Sequence, residues 1–187
     1  SQTLDRVTDF KKLTTFVNGT YQAGTLLPDK DLGFVLLTKD GGHPGSKDVM
    51  SIRRFIAPMT GTYRIAGAIS HGNAQGDGIV ARIVSSKKGT LGQWTVYNTA
   101  VTPKLDDILL TKGEQLDFVV DCGASPDFDG YAWAPSLKLM DTGLPKGQKR
   151  SWLTSEAFSD IPGPKPLTRL EQFVHALMMS NEFVTID

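Results

Sequence analysis

Residues 108–120 read Ile-Leu-Leu-Thr-Lys-Gly-Glu-Gln-Leu-Asp-Phe-Val-Val, and this run decides the fold class. Leu116, Phe118 and Val120 alternate with Gln115 and Asp117. A period of two is what a strand imposes, because successive side chains leave it on opposite faces. A shorter apolar run, 108–111, precedes it, and Lys112-Gly113 lies close between the two. Glycine takes positive φ there without steric cost, so the segment reads as strand, turn, strand.

The same reading extends outward over residues 33–140. Short β-prone runs at 33–38, 51–56, 61–70, 77–86, 92–98, 108–111, 115–120 and 131–140 are separated by clusters of Gly, Pro, Asn and Asp. Tyr63, Ile65 and Ile69 oppose Thr62 and Arg64; Ile79 and Ile83 oppose Arg82; Leu137 and Leu139 oppose Lys138. One apolar and one wet face per strand is the pattern of antiparallel sheets packed face to face. Strands at a spacing of roughly 10 residues, with no helix-length pattern among them, predict an all-β, antiparallel β-sandwich of jelly-roll-like type. A parallel α/β sheet is excluded on the same ground.

The flanks read differently. Within residues 1–20, Leu4, Val7, Phe10, Leu13 and Val17 recur at spacings of three and four, one face of a helix. Thr14, Thr15 and Phe16 favour a strand, so the helix is expected to stop near Lys12. The sandwich module is assigned to 21–140. Residues 141–166 carry Gly143, Pro145, Gly147, Pro162, Gly163, Pro164 and Pro166, the composition of a linker or strapped surface segment. Trp152, Leu153 and Phe158 would dock it on the sandwich. In 167–187, Thr168 and Glu171 form a capping box. Leu170, Phe173, Val174, Leu177 and Met178 then form one stripe, so an amphipathic helix is expected near the C-terminus.

The 187 residues carry 20 Lys and Arg against 20 Asp and Glu. A chain without net charge has no broad field to gather polyanions, which speaks against nucleic acid and against an anionic membrane surface as partners. No run of 18 apolar residues exists to span a membrane. One cysteine, Cys122, allows neither an internal disulfide nor a cysteine-based metal site. It is expected to be a small buried residue at a strand end.

Four segments carry a resemblance. They are Leu27-Pro28-Asp29, Leu32-Gly33 and Gly41-Gly42-His43-Pro44-Gly45; Arg53-Arg54-Phe55-Ile56-Ala57-Pro58 with Gly61 and Ile65-Ala66-Gly67; Gly76 through Ile83 with Trp94; and Leu116 through Asp121 with Asp127-Phe128-Asp129 and Ala132-Trp133-Ala134-Pro135. Together they resemble the sandwich module inside large planctomycete-type proteins that also carry c-type cytochrome regions. Residues 170–183 resemble the closing helix of the same proteins. The resemblance implies a C-terminal piece of a longer polypeptide, export to the periplasm or cell surface, and association with carbohydrate. The N-terminal residues show no secretory leader pattern, so export rests on the resemblance alone. The chain lacks Cys-x-x-Cys-His, so it holds no c-type haem itself.

Sugar binding by a sandwich needs aromatic rings for the C–H faces of the sugar and polar groups for its hydroxyls. Trp94, Tyr97, Tyr131 and Trp133 are the candidate rings and His71 a candidate polar contact, with Trp133 more readily read as a core anchor. Asp121, Asp127 and Asp129, with Asp77 in another loop, are candidate oxygen ligands for a structural calcium. The other reading is that they bond backbone amides in turns. Gly76-Asp77-Gly78 is a tight turn into a strand and no phosphate loop, since no Lys-Ser/Thr follows. No nucleophile elbow or metalloprotease motif is present. The expected function is therefore a non-catalytic carbohydrate-binding module whose partners are poly- or oligosaccharide and the other domains of its polypeptide. The alternatives are a structural module positioning cytochrome-type domains and a glycoside-processing enzyme.

Overall fold

The long run at 115–122 pairs on both sides and organises one whole layer. The computed structural model describes residues 6–46, 48–141 and 147–156. In chain order its strands are β1 (Thr15–Val17), β2 (Thr20–Gln22), β3 (Leu36–Leu37), β4 (Gly41–His43), β5 (Ser51–Ile56), β6 (Gly61–Ala66), β7 (Ile69–His71) and β8 (Ile79–Ser85). There follow β9 (Gly89–Val96), β10 (Thr99–Val101), β11 (Ile108–Leu110), β12 (Gln115–Cys122), β13 (Tyr131–Trp133), β14 (Ser136–Leu139) and β15 (Ser151–Leu153). All the pairs are antiparallel. The chain is all-β, as the alternation predicts.

One layer is the sheet β5-β12-β8-β9. The other is made by β1-β2-β3-β4-β13-β7-β10 and β11-β6-β14-β15. These two sheets are joined where β6 runs into β7 and β13 into β14. The breaks lie side by side: Gly67 has φ 133°, and a Cβ there would come within 3.0 Å of Pro135 Cα. Side chains from both layers meet in one core that includes Tyr63, Ile69, Ile83, Phe118, Trp133 and Leu137. Phe118 and Trp133 pack at right angles across it, ring centroids 5.5 Å apart. Among the described residues no helix is long and apolar enough to cross a membrane.

Three expectations change. Residues 6–14 form no helix; Asp9 takes φ 53°, which interrupts helical backbone, and the threonines lead straight into β1. Part of the proline- and glycine-rich stretch is sheet, since β15 pairs with β14 and Trp152 packs against Phe55 and Tyr63 at 5.6 and 5.8 Å. The second face of β12 is not wet. Asp117 and Val119 are buried, and Arg54 holds Asp117 through two hydrogen bonds of 2.7 and 2.8 Å. The expected C-terminal helix and Phe158 lie outside the described residues. Cys122 is buried, and burial, with Asp121, Asp129 and Asp77 nearby, pushes its thiol up to about 11. Such a thiol is an inert core group.

At the end of the sandwich where β8 leaves and β12 enters, Glu114 ties two turns together. Ser85 Oγ donates to its Oε1 at 2.7 Å, and the Thr111 N–H and hydroxyl donate to its Oε2 at 3.0 and 3.1 Å. Burial pushes this carboxyl up, but the hydrogen bonds and Lys88 outweigh it and hold it below its ordinary 4.5. A group held down in the folded state contributes stability that is whole above its unfolded pKa and lost as pH falls through the folded value. Glu114→Gln is expected to cost about 1 kcal/mol in urea denaturation near pH 7. The difference from the wild type should shrink as the pH is taken below 4.5.

Candidate functional site

Three connections meet at the other end of the sandwich: 72–78 between β7 and β8, 97–98 between β9 and β10, and 123–130 between β12 and β13. They are knitted by hydrogen bonds between backbone and side chain as well as between backbones. Gly123 N–H donates to Gly78 O at 3.1 Å, Ala124 N–H donates to the Asp77 carboxylate, and the Tyr97 hydroxyl donates to Ala74 O at 2.8 Å. Glycines allow the approach: a Cβ on Gly76 would stand 2.5 Å from Asp127 O.

His71, at the end of β7, is fully buried at the centre of these loops. Its Nδ1 accepts the Asn98 N–H at 3.3 Å, which places the ring proton on Nε2, and Nε2 donates to Phe128 O at 3.0 Å. Tyr97 stacks on the imidazole at 6.1 Å between centroids, with 26° between planes. The Phe128 carbonyl is thus fixed from inside, while its ring is 51% exposed. Phe128 has φ 67°, a conformation that costs a bulky residue about 1–2 kcal/mol. The ring borders an open groove of about 390 Å³ lined by Gly76, Asp77, Ala124, Ser125 and Asp127.

The candidate residues fall into different places. Tyr97 is exposed and packs against the 72–78 loop, where a Cβ on Gly78 would lie 2.9 Å from Tyr97 Cβ, but it does not line the groove. Tyr131 and Trp133 are core residues, 8% and 2% exposed, so they offer no face to a ligand. Tyr131 shares a hydrogen bond of 2.8 Å with Ser51 Oγ in the facing layer. Trp94 is half-buried against the core near Leu105 and Gly92. The four rings therefore make no common platform. His71 serves as an internal brace for the loops.

The three candidate metal ligands also separate. Asp121 faces Arg82 Nη1 at 3.2 Å on the opposite side of β12 from Cys122. Asp127 is exposed and accepts the Ser125 hydroxyl at 3.0 Å. Asp129 is wholly buried, and burial, with Asp77 beside it, pushes its carboxyl up to about 6. Among the described residues no three His, Cys, Asp or Glu side chains form a metal-holding group. Phe128 escaped the sequence reading as a site residue because positive φ on a non-glycine leaves no mark in composition or periodicity. The one signal available was an aromatic residue between two aspartates in a loop.

No protein-family model matches the chain, and no curated protein matches it.

A strained residue with an exposed ring is expected to be held for a purpose other than stability. Phe128→Gly should therefore leave the protein as stable as the wild type or up to about 1 kcal/mol more so, since glycine is at ease at this φ. Urea denaturation of the two proteins checks it. A loss of more than about 1 kcal/mol would show that the ring is a structural residue.

Proposed function

We propose that the chain is a non-catalytic carbohydrate-binding module and that its sugar site is the loop-end groove. The observation that carries the reading is Phe128, whose half-exposed ring is held at positive φ beside the carboxylates of Asp77 and Asp127. An aromatic face next to acceptors is what a pyranose ring requires, with C–H groups on one side and hydroxyls at its rim. Tyr97 supplies a second exposed ring at the border of the Gly76–Gly78 turn. The planctomycete-type resemblance agrees with this class of ligand and adds export, a longer host polypeptide and neighbouring cytochrome-type domains as parts of the same proposal.

Affinity gel electrophoresis against a panel of soluble plant and marine polysaccharides, with a glycan array alongside, tests it. The wild type should be retained by at least one polysaccharide. Phe128→Gly should weaken retention about tenfold and Tyr97→Ala several-fold, the range a stacked ring contributes. Ile56→Ser, on an exposed side chain of β5, should change nothing. No retention on any polysaccharide, or retention indifferent to Phe128, would leave the structural-module reading in its place.

A further inference from the structure

Asp129 is not explained by sugar binding. It is fully buried, and among the described residues neither carboxylate oxygen has a hydrogen-bond partner. A buried carboxylate without compensation is among the costliest groups a fold can hold. His71 Nε2 lies 3.5 Å from Asp129 Oδ1, but its proton is directed to Phe128 O at 3.0 Å. With Nδ1 accepting the Asn98 N–H and Nε2 donating to Phe128 O, neither ring nitrogen gives the carboxylate a hydrogen bond, although the ring favours its charged form. The Gly123 N–H lies near the carboxylate and favours its charged form, yet it donates its hydrogen bond to Gly78 O. Asp77 and Asp127, the other carboxylates acting on Asp129, repel it.

One of the repelling carboxylates, that of Asp77, stands against a glycine. A Cβ on Gly123 would overlap the Asp77 carboxylate and come within 3.0 Å of Gly78 O. The absent side chain leaves the Asp77 carboxylate and the Gly78 carbonyl grouped about the backbone position whose N–H acts on Asp129. With Asp129 these are hard oxygen donors from two different loops.

We propose that a calcium-type divalent cation binds beside Gly123, between the carboxylates of Asp129 and Asp77, and clamps the 72–78 loop to the 123–130 loop. Side chains supply two ligands, the Gly78 carbonyl is placed to supply a third, and water completes the shell. Calcium tolerates such a mixed all-oxygen set, whereas zinc sites are built mainly on His and Cys, which form no such group among the described residues. Asp121 has no part in it, because Arg82 already holds it.

Thermal unfolding of the whole chain, stripped with EDTA and titrated with CaCl2 near pH 7.5, tests the site. Saturating calcium should raise Tm by about 5–10 °C. Asp129→Asn should fold at least as stably as the stripped wild type and lose the response. Asp77→Asn should weaken the apparent calcium affinity at least tenfold, and Asp121→Asn should leave the response intact. No shift for the wild type at about 10 mM calcium, or the same shift in Asp129→Asn, overturns the proposal. Polysaccharide retention is a separate readout, so a calcium response without retention upholds the cation site while rejecting the sugar site.

Discussion

The right-angle packing of Phe118 on Trp133 is the contact on which the rest of the structure depends. Phe118 stands at the middle of β12, the strand that joins β5 to β8 in one layer. Trp133 stands on β13, which has three residues and joins β4 to β7 in the other. A three-residue strand gains few hydrogen bonds, so burial of its side chains must fix it in place. Tyr131, two residues earlier, adds a second tie by reaching Ser51 across the core. The loop between Cys122 and Tyr131 is thereby anchored at both ends. That anchoring allows the loop to hold a strained residue without opening.

The core was legible in the sequence because it follows from a period of two. Leu116, Phe118, Val120, Ile79, Ile83, Leu137 and Leu139 were all assigned to an apolar face, and all are buried. Alternation tells which residues share a face, but it does not tell what covers that face. Asp117 and Arg82 read as solvated, yet they are 4% exposed each. Arg54 pairs with Asp117, Arg82 Nε donates to Gln93 and Arg82 Nη1 to Asp121, and the Phe10 ring lies 3.9 Å over the Arg54 guanidinium. A residue from the N-terminal segment thus lies over a charged face. Nothing local in that segment predicts it, because its spacing of apolar residues imitates a helix.

The site was less legible for a related reason. Tyr131 and Trp133 drew attention as aromatic residues beside an acidic loop, and the same period of two that marks the strand places both of them inside. Asp127 and Asp129 differ by two residues in a loop, where no regular period applies. One came out exposed and the other wholly buried. Phe128 between them owes its position to backbone conformation and to a carbonyl held by His71, which lies 57 residues away in the chain. Long-range hydrogen bonds of this kind have no sequence signature.

The two ends of the sandwich follow opposite rules. At one end Glu114 is buried and both oxygens of its carboxylate accept hydrogen bonds, so the turns there contribute to stability. At the other end a buried carboxylate lacks a donor among the described residues and an exposed ring sits in a strained conformation. These two costs have one cause. The Nε2–H of His71 is the donor within reach of both Phe128 O and Asp129, and it is spent on Phe128. Turning it to the carboxylate would satisfy Asp129 and release the loop that presents the ring. The arrangement keeps the ring and leaves the carboxylate to be neutralised by something other than the chain's own donors, which is the condition a bound cation meets.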